Sequence, residues 1–429
     1  MTEYLKQPPP FSAQVSEDVR RTVSEILSRI EREGEKAIRA YSRDLDGWDP
    51  PSFIVGEDEI RQAEREIDTE LAEHVAFAQA QVRRFATAQR SSLSEIEVET
   101  LPGVTLGHRH IPVQAVGSYV PGGRYPMLAS AFMTVIVPKV AGVERVIACA
   151  PPQGDHGIHP MMLYTMATSG ADHVLCLGGV QGLAAMAFGI EGLEPADMIV
   201  GAGNAYVAEA KRQLFGAVGI DLLAGPTEVA IIADGTADAE LVAADLLGQA
   251  EHGPTSPAVL IATDRGFGEE ALAQVDRLLE TWPTREVAGE AWKAHGTIAI
   301  VSGRAEAVAL SDEIAPEHLE VQVAEGELDA YLDELKNYGS LFLGQQATVA
   351  YGDKAVGTNH VLPTMRAARY TGGLWVGKFL KTCTYQRVTE EGSRRVAPAV
   401  AAISRAEHFE GHRLTATMRL DRIESGVAS

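Results

Sequence analysis

The sequence predicts an α/β protein in which two Rossmann-like, doubly wound domains face one cleft. From Ile111 onward, short apolar strand patterns alternate with helical patterns, and glycines follow several of the strands. The chain has 429 residues and 45% hydrophobic content, enough for two or three domains with their own cores. Because ligands of such sheets bind beyond the strand ends, the glycine-rich ends are the first places to search for function.

The composition argues against several classes of protein. Asp and Glu number 59 against 37 Lys and Arg, and the net charge of −22 disfavours nucleic acid or an anionic membrane as a partner. The sequence has no apolar run long enough to span a membrane, and residues 1–6 lack the apolar core of a secretion signal. The three cysteines show no CxxC spacing, which fits a reducing compartment, so a cytoplasmic location is predicted.

The elements are predicted as follows. Residues 16–100 are charged and helical in pattern, with one helix through Ile30 and two more between 57 and 90. A first alternating block has strands at 114–120, 144–150, 173–177 and 198–200. A second block has strands at 228–233, 258–263 and 297–301, and the pattern continues through 319–323 and 340–343.

The strand at 198–200 enters Gly201-Ala202-Gly203-Asn204, which begins like a dinucleotide fingerprint. The third glycine of that fingerprint is missing, so the motif alone indicates phosphate binding only weakly. Tight turns that join a strand to a helix explain the same glycines at least as well.

Gln249 and His252 stand three residues apart at the end of a predicted helix, which Gly253-Pro254 terminates. This spacing places both side chains on one side of the last turn. An amide oxygen and an imidazole can form half of a zinc site. The alternative is a helix end whose imidazole faces the C-terminal dipole, and the spacing alone favours that alternative.

Three further segments concentrate acids and imidazoles. Glu317 and His318 stand side by side between a helix and a strand, where they can act as two separate proton acceptors. Residues 351–364 place Asp353 and His360 in a predicted glycine-rich loop. Residues 405–413 add one more carboxylate and two imidazoles, and each segment taken alone is more typical of an exposed polar turn than of a site.

Taken together, these segments resemble the histidinol dehydrogenase family from about residue 16 to residue 420. The matching motifs are Tyr119-Val120-Pro121-Gly122-Gly123, Gly225-Pro226-Thr227-Glu228, Gln249-Ala250-Glu251-His252, Pro316-Glu317-His318-Leu319-Glu320, Gly357-Thr358-Asn359-His360-Val361-Leu362-Pro363-Thr364 and the Glu407 and His412 tail. Each motif is short, but the combination is specific.

The resemblance implies a set of roles. The implied zinc ligands are Gln249, His252, Asp353 and His412, with His412 donated by the neighbouring subunit of a homodimer. Glu317 and His318 match the proton-transfer pair of the family. The positions that match NAD contacts are Tyr119, Gln181 and Asn204, and those that match substrate contacts include Thr227, His360 and Glu407.

The resemblance also implies the reaction, a zinc- and NAD-dependent four-electron oxidation of a small polar alcohol through an aldehyde to a carboxylate. Zinc would fix and polarise the alcohol oxygen. His318 would take the hydroxyl proton, and Glu317 would activate the water that adds to the aldehyde.

Several departures point to the sulfopropanediol dehydrogenase branch, which oxidises 2,3-dihydroxypropane-1-sulfonate to sulfolactate. Thr227 replaces the usual serine, and Lys354 stands where an aromatic residue is common. A sulfonate needs cations, and Arg124, Lys354, Arg366 and Arg369 lie in or beside the matched segments, although each can equally be a solvated surface charge.

Two alternatives stay open. Histidinol is the first, because the carboxylate of Glu407 suits an imidazole or amine better than a sulfonate. A non-catalytic, zinc-stabilised oligomer is the second, and the presence of Glu317 and His318 disfavours it.

The predicted domains are an N-terminal arm at 1–15, a first α/β domain at 16–118 plus 228–374, a second, NAD-side domain at 119–227, and a C-terminal tail at 375–429 that reaches the partner subunit. The first domain is expected to carry the zinc ligands and the catalytic pair.

Overall fold

A computed structural model describes residues 2–8, 16–122 and 126–426. The strands are β1 (Glu3–Lys6), β2 (Ile96–Leu101), β3 (Val104–Pro112), β4 (Ala115–Tyr119), β5 (Arg145–Ala150), β6 (His173–Cys176), β7 (Met198–Val200), β8 (Gly219–Ile220), β9 (Val229–Ala233), β10 (Ala258–Ala262), β11 (Gly296–Ile300), β12 (His318–Gln322), β13 (Ser340–Leu343) and β14 (Leu380–Val388).

The α-helices are α1 (Glu17–Glu33), α2 (Glu35–Tyr41), α3 (Glu57–Glu66), α4 (Thr69–Ser91), α5 (Leu128–Ala141), α6 (Pro160–Ser169), α7 (Gly179–Phe188), α8 (Ala205–Leu214), α9 (Ala239–Ala250), α10 (Arg265–Leu279), α11 (Arg285–His295), α12 (Arg304–Ile314), α13 (Leu328–Glu334), α14 (Val349–Lys354), α15 (Glu390–Ala406) and α16 (Glu410–Ser425). A π-helical turn covers Ser42–Asp46, and short 3-10 turns cover Glu325–Glu327, Ala367–Arg369 and Val376–Phe379.

Two parallel sheets confirm the predicted fold class. One has the order β6-β5-β4-β7-β8, and the other has the parallel order β11-β10-β9-β12-β13 with the antiparallel β1 added beside β11. Numbered within each sheet, the parallel strands of both follow the order 3-2-1-4-5, which is the doubly wound pattern. All five residues of β4 and of β9 are buried, as expected for central parallel strands covered on both faces.

The N-terminal segment differs from the predicted domain grouping. Buried Val23, Ile30 and Phe53 belong to the same core as Leu175 and Ile199 of the β4–β8 sheet. The helices of residues 17–91 therefore pack against α5–α8, the helices that flank the sheet of the predicted NAD side. The physical reason is that α1 has one apolar face, and this face is buried against α7 and α8.

The predicted N-terminal arm also has a structural role. Its strand β1 pairs antiparallel with β11 and forms an edge of the second sheet, so Glu3 lies opposite Ile300. Because this strand has only four residues, its sequence carries too little periodicity to be predicted as a strand.

The predicted C-terminal tail, residues 375–429, begins with residues that are buried in the core. Val376 and Phe379 are buried in the core that surrounds α5, and β14 then pairs antiparallel with β3 in a three-stranded sheet. Helices α15 and α16 pack on each other, and α16 has no buried residue. No described helix is both long and apolar enough to cross a membrane.

Candidate active site

A cleft of about 970 Å³ receives side chains from both sheet domains. The glycine loop after β7 contributes Asn204, whereas Thr227 stands just before β9 and His252 just after α9. In the first sheet, Asn204 follows the carboxyl end of β7, as predicted for a doubly wound sheet. In the second sheet the site lies at the amino ends, because Thr227 precedes β9 and His318 is the first residue of β12.

His318 is held between β9 and β12 by a carbonyl group. Its Nδ1 lies 3.0 Å from the backbone oxygen of Glu228, and since a carbonyl only accepts, Nδ1 must carry the proton. Nε2 is buried without a hydrogen-bond partner among the described residues, 3.4 Å from Oδ1 of Asp353. In the neutral ring, this nitrogen is the free proton acceptor.

The Glu317 carboxylate is buried beside this imidazole. Its Oε2 accepts hydrogen bonds from Oγ1 of Thr227 at 2.5 Å and from the backbone N–H of Glu228 at 2.9 Å. Oε2 also lies 3.5 Å from Nδ1 of His318. Burial raises the pKa of Glu317 above the ordinary glutamate value. A buried acid with a raised pKa, fixed by two donors, is suited to proton transfer.

The charges at the centre of the site are strongly coupled. Burial lowers the pKa of His318, but the carboxylates of Glu317 and Asp353 more than offset burial and raise this pKa to about 9. Burial raises the pKa of Asp353, yet the protonated imidazole of His318, with Nε2 3.4 Å from Oδ1, brings it down to about 2. Asp353 is therefore an anion at neutral pH. Its negative charge stabilises the protonated form of His318 as long as no other cation neutralises that charge.

The three nearby predicted metal ligands line the same cleft. Gln249 lies on the last turn of α9, and His252 lies in the turn that follows this helix. Asp353 is the third. Nε2 of Gln249 donates to Oγ1 of Thr227 at 2.5 Å, which leaves the amide oxygen for another partner. Asp353 lies on the short helix α14, which Thr348 caps, so the prediction of a loop at this position is wrong.

The fourth predicted ligand lies elsewhere in this chain. His412 is on α16 and does not line the cleft, and neither does Glu407, the C-cap residue of α15. Within the described ranges, no group of three or more His, Cys, Asp or Glu side chains could hold a metal ion. The donors in the cleft are one imidazole, one carboxylate and one amide oxygen, which fit zinc by type and leave one position open.

Only some of the predicted substrate contacts line the cleft in the described part of the chain. Thr227 and Lys354 line the cleft, and no ion pair between described residues includes Lys354. His360 lies behind the cleft, with Nδ1 3.1 Å from the Asp353 carbonyl oxygen and Nε2 2.9 Å from Oγ of Ser130. This imidazole therefore supports α14 from behind in the present arrangement.

The four predicted cations differ in position. Arg366 lines a separate pocket with Tyr4 and Glu228, and Arg369 donates to the carbonyl oxygen of Arg366. Neither arginine lines the cleft, and Arg124 lies outside the described residues. Of the three cations that lie in the described ranges, Lys354 is the one that lines the cleft.

Of the predicted NAD contacts, Asn204 lines the cleft, whereas Tyr119 and Gln181 are buried. Asn204 lines the cleft and caps α8, where its Oδ1 accepts from the N–H groups of Tyr206 and Val207. Tyr119 is buried, and its hydroxyl accepts from the N–H of Gly179 at 3.0 Å. Burial raises the pKa of this phenol, so Tyr119 stays neutral.

Gln181 is likewise buried, and its Nε2 donates to Oδ2 of Asp46 at 2.7 Å. The sequence interpretation missed Asp46, which lies on the π-helical turn and reaches the glycine turn after β6 from another part of the chain. No local pattern in the sequence could have identified this contact, because the two residues are 135 positions apart.

The interpretation also missed a pair of acids at the edge of the cleft, of which Glu320 is buried and Asp245 is half-buried and lines the cleft. The side chains of Asp245 on α9 and Glu320 on β12 both accept from Nε2 of Gln322, at 3.0 and 2.8 Å. Burial, reinforced by Asp245, raises the pKa of Glu320 to about 8. Glu320 belongs to the same sequence motif as Glu317, and this motif could have identified it as a site residue. Its side chain also accepts a hydrogen bond from the backbone N–H of Val349 at the start of α14.

The fold and the cleft define a two-domain α/β protein with a buried acid–imidazole pair beside a set of possible metal ligands. A family model described as histidinol dehydrogenase matches residues 11–420. The chain is 53% identical to a histidinol dehydrogenase homolog of Shouchella clausii, over 98% of this chain and 99% of the relative. It is 46% identical to a sulfopropanediol 3-dehydrogenase of Ruegeria pomeroyi, over 97% and 96%.

A crystal structure of histidinol dehydrogenase from Elizabethkingia anophelis superimposes with a TM-score of 0.91 at 34% identity, covering 97% of this chain and 95% of that one. The chain therefore belongs to the histidinol dehydrogenase family, and it is an oxidoreductase of that family.

Proposed function

We propose that this protein oxidises a primary alcohol to a carboxylate in two steps, using zinc and two molecules of NAD. The observation that carries the proposal is the buried Glu317–His318 pair, whose free Nε2 faces Asp353 at the cleft. Zinc held by Gln249, His252, Asp353 and His412 of the partner subunit would polarise the alcohol oxygen, and its charge would favour the neutral form of His318.

In the first step, Nε2 of His318 accepts the hydroxyl proton while the carbon transfers a hydride to NAD. Nδ1 keeps its proton throughout, because the Glu228 carbonyl holds it in place. The products are an aldehyde, NADH and one proton on His318.

In the second step, a water molecule adds to the aldehyde after the Glu317 carboxylate accepts one of its protons. The resulting hydrate transfers a hydride to a second NAD. The balance is one alcohol, one water and two NAD converted to one carboxylate, two NADH and three protons. Thr227 and the Glu228 N–H hold Glu317 in position for this step.

For the substrate, we propose 2,3-dihydroxypropane-1-sulfonate, with 3-sulfolactate as the product. Lys354 supports this assignment because it lines the cleft beside Asp353 and is exposed to a ligand. A sulfonate needs such a cation. The 46% identity to the relative named sulfopropanediol 3-dehydrogenase also supports it.

L-Histidinol is the second candidate, and the retained Glu407 favours it because a carboxylate suits an imidazole or an amine. Purified enzyme loaded with zinc and NAD should be offered each alcohol, with NADH formation as the readout. Turnover of histidinol alone would reject the sulfonate, and bound zinc without turnover of either alcohol would reject both substrates.

A matched pair of variants tests the role of Lys354. Lys354→Gln should raise the KM of the sulfonate, whereas Lys336→Gln, at an exposed position outside the cleft, should leave it unchanged. Equal kinetics of the two variants would contradict a sulfonate contact.

We further propose that the active form is a homodimer in which α16 supplies His412 to the partner's cleft. The support is that α16 has no buried residue and exposes Leu414 and Met418 next to the exposed Phe409. Mixed dimers of His412→Ala with His252→Ala contain one intact site when the ligand is supplied by the partner. Recovery of activity on mixing is therefore expected, and no recovery would indicate that both ligands belong to one chain.

A cytoplasmic location stays a prediction, supported by the unpaired thiols of the buried Cys149 and Cys176.

A further inference from the structure

The glycine turn after β7 is held from behind by a buried ion pair. Lys211 of α8 and Asp221, which follows β8, have side chains that are 2% and 0% exposed, and Nζ of Lys211 contacts Oδ1 of Asp221. Nζ also donates to the carbonyl oxygen of Gly201 at 2.8 Å, and Oδ2 of Asp221 accepts from the N–H of Gly201 at 2.8 Å. Both backbone polar groups of Gly201 are therefore fixed by buried charges.

The position of Gly201 leaves almost no freedom. Its φ is +111°, and a Cβ atom would lie 2.0 Å from the carbonyl oxygen of Tyr119 at the end of β4. β4 and β7 are neighbours at the point where the strand order of this sheet reverses. In doubly wound sheets, ligands bind at this switch point beyond the carboxyl ends.

A buried ion pair is a poor device for stability alone, because well-packed apolar residues of similar volume often stabilise a protein as well or better. Here the charges do something that apolar residues cannot do. They connect the first residue of the turn to α8, and Asn204 lies between these two points, where it caps α8 and lines the cleft. The pair therefore sets the direction from which Asn204 enters the cleft.

We propose that Lys211 and Asp221 are positioning residues for the dinucleotide, acting through Gly201 and Asn204. This inference rests on the proposed function, since it requires that NAD binds at the turn after β7. Neither side chain touches the cofactor, because both are inaccessible. Their contribution is to hold the turn and the N-terminus of α8 in the binding conformation before the cofactor arrives, so that binding requires little reordering.

The test is the double substitution Lys211→Met with Asp221→Leu, which removes both charges and leaves neither one unpaired. We expect the folded double variant to keep its zinc content, and its melting temperature should fall only by the effect of the two hydrogen bonds that the buried Gly201 loses. The Kd and KM of NAD should rise about 10- to 100-fold, as for other misplaced binding groups. The KM of the alcohol, and kcat at saturating NAD, should change by less than about threefold.

Arg212→Lys is the matched control, because Arg212 is the next residue on α8, its side chain is 51% exposed, and lysine keeps a cation beside the buried carboxylate of Glu209. Asp221→Asn is the second variant, needed if the double variant does not fold, and it should give a smaller rise in the Kd of NAD. Calorimetry with NAD alone measures Kd independently of turnover.

Three outcomes have distinct meanings. A wild type that does not bind NAD overturns both the proposed function and this inference. NAD binding by the wild type, with an unchanged Kd in the folded double variant or in Asp221→Asn, overturns this inference alone. A fall in melting temperature and kcat together, with an unchanged KM of NAD, shows a structural role only and also overturns it.

Discussion

Glu317→Gln separates the two half-reactions of the proposed mechanism. The substitution keeps the volume of the side chain and removes its charge. With the new amide oxygen at the position of Oε2, it can still accept from Oγ1 of Thr227 and from the backbone N–H of Glu228, and the new NH₂ takes the position of Oε1. The site should therefore keep its geometry while it loses a proton acceptor.

The expected losses follow from this difference. Alcohol-to-aldehyde transfer uses His318 as the base, so it should fall by less than about tenfold, or about 1.4 kcal/mol. Aldehyde-to-carboxylate oxidation loses its base, which contributes about 10²- to 10⁴-fold. This corresponds to about 2.7–5.4 kcal/mol in the activation barrier of the second step alone.

The two steps can be measured separately. Single-turnover NADH formation from the alcohol, with the aldehyde trapped chemically, reports the first step, and NADH formation from added aldehyde reports the second. Glu325→Gln is the control, because this glutamate is exposed and outside the cleft. An equal loss of both half-reactions in Glu317→Gln would refute the assignment of separate bases.

Two further predictions concern stability. Gly201→Ala and Gly216→Ala share a positive φ, +111° and +108°, but only the first adds a Cβ against a backbone oxygen, that of Tyr119, and open space surrounds the second. Chemical unfolding should show that Gly201→Ala loses about 1–3 kcal/mol more than Gly216→Ala, and equal losses would refute the close approach. Burial and the neighbouring Asp245 raise the pKa of Glu320 to about 8, so the folded state prefers the protonated acid. Its stabilising contribution is complete below about pH 4.3 and is lost as the pH rises to about 8, by up to about 1.4 kcal/mol per pH unit. Glu320→Gln should therefore flatten the decline in unfolding free energy between about pH 5.5 and pH 8, and an unchanged slope would contradict the raised pKa.

Local sequence was sufficient for the features that depend on near neighbours along the chain. The alternation of short strand patterns with helical patterns, with glycines at the strand ends, predicted parallel sheets. The complete burial of β4 and β9 agrees with that prediction, because central parallel strands are covered on both faces. The spacing of Gln249 and His252 placed both on one turn, and Glu317 and His318 were adjacent from the start. Only the resemblance to a known family predicted that Gln249 and His252 share a cleft with Asp353.

The tertiary structure alone decided which distant groups meet. It placed the second half of the site at the amino ends of β9 and β12, which the rule for strand ends did not anticipate. It paired Gln181 with Asp46, 135 positions away, and buried Lys211 against Asp221 behind Gly201. The physical reason is that periodicity along a chain encodes which side of an element is buried, whereas the partner on that side is set by the order in which strands cross over and pack.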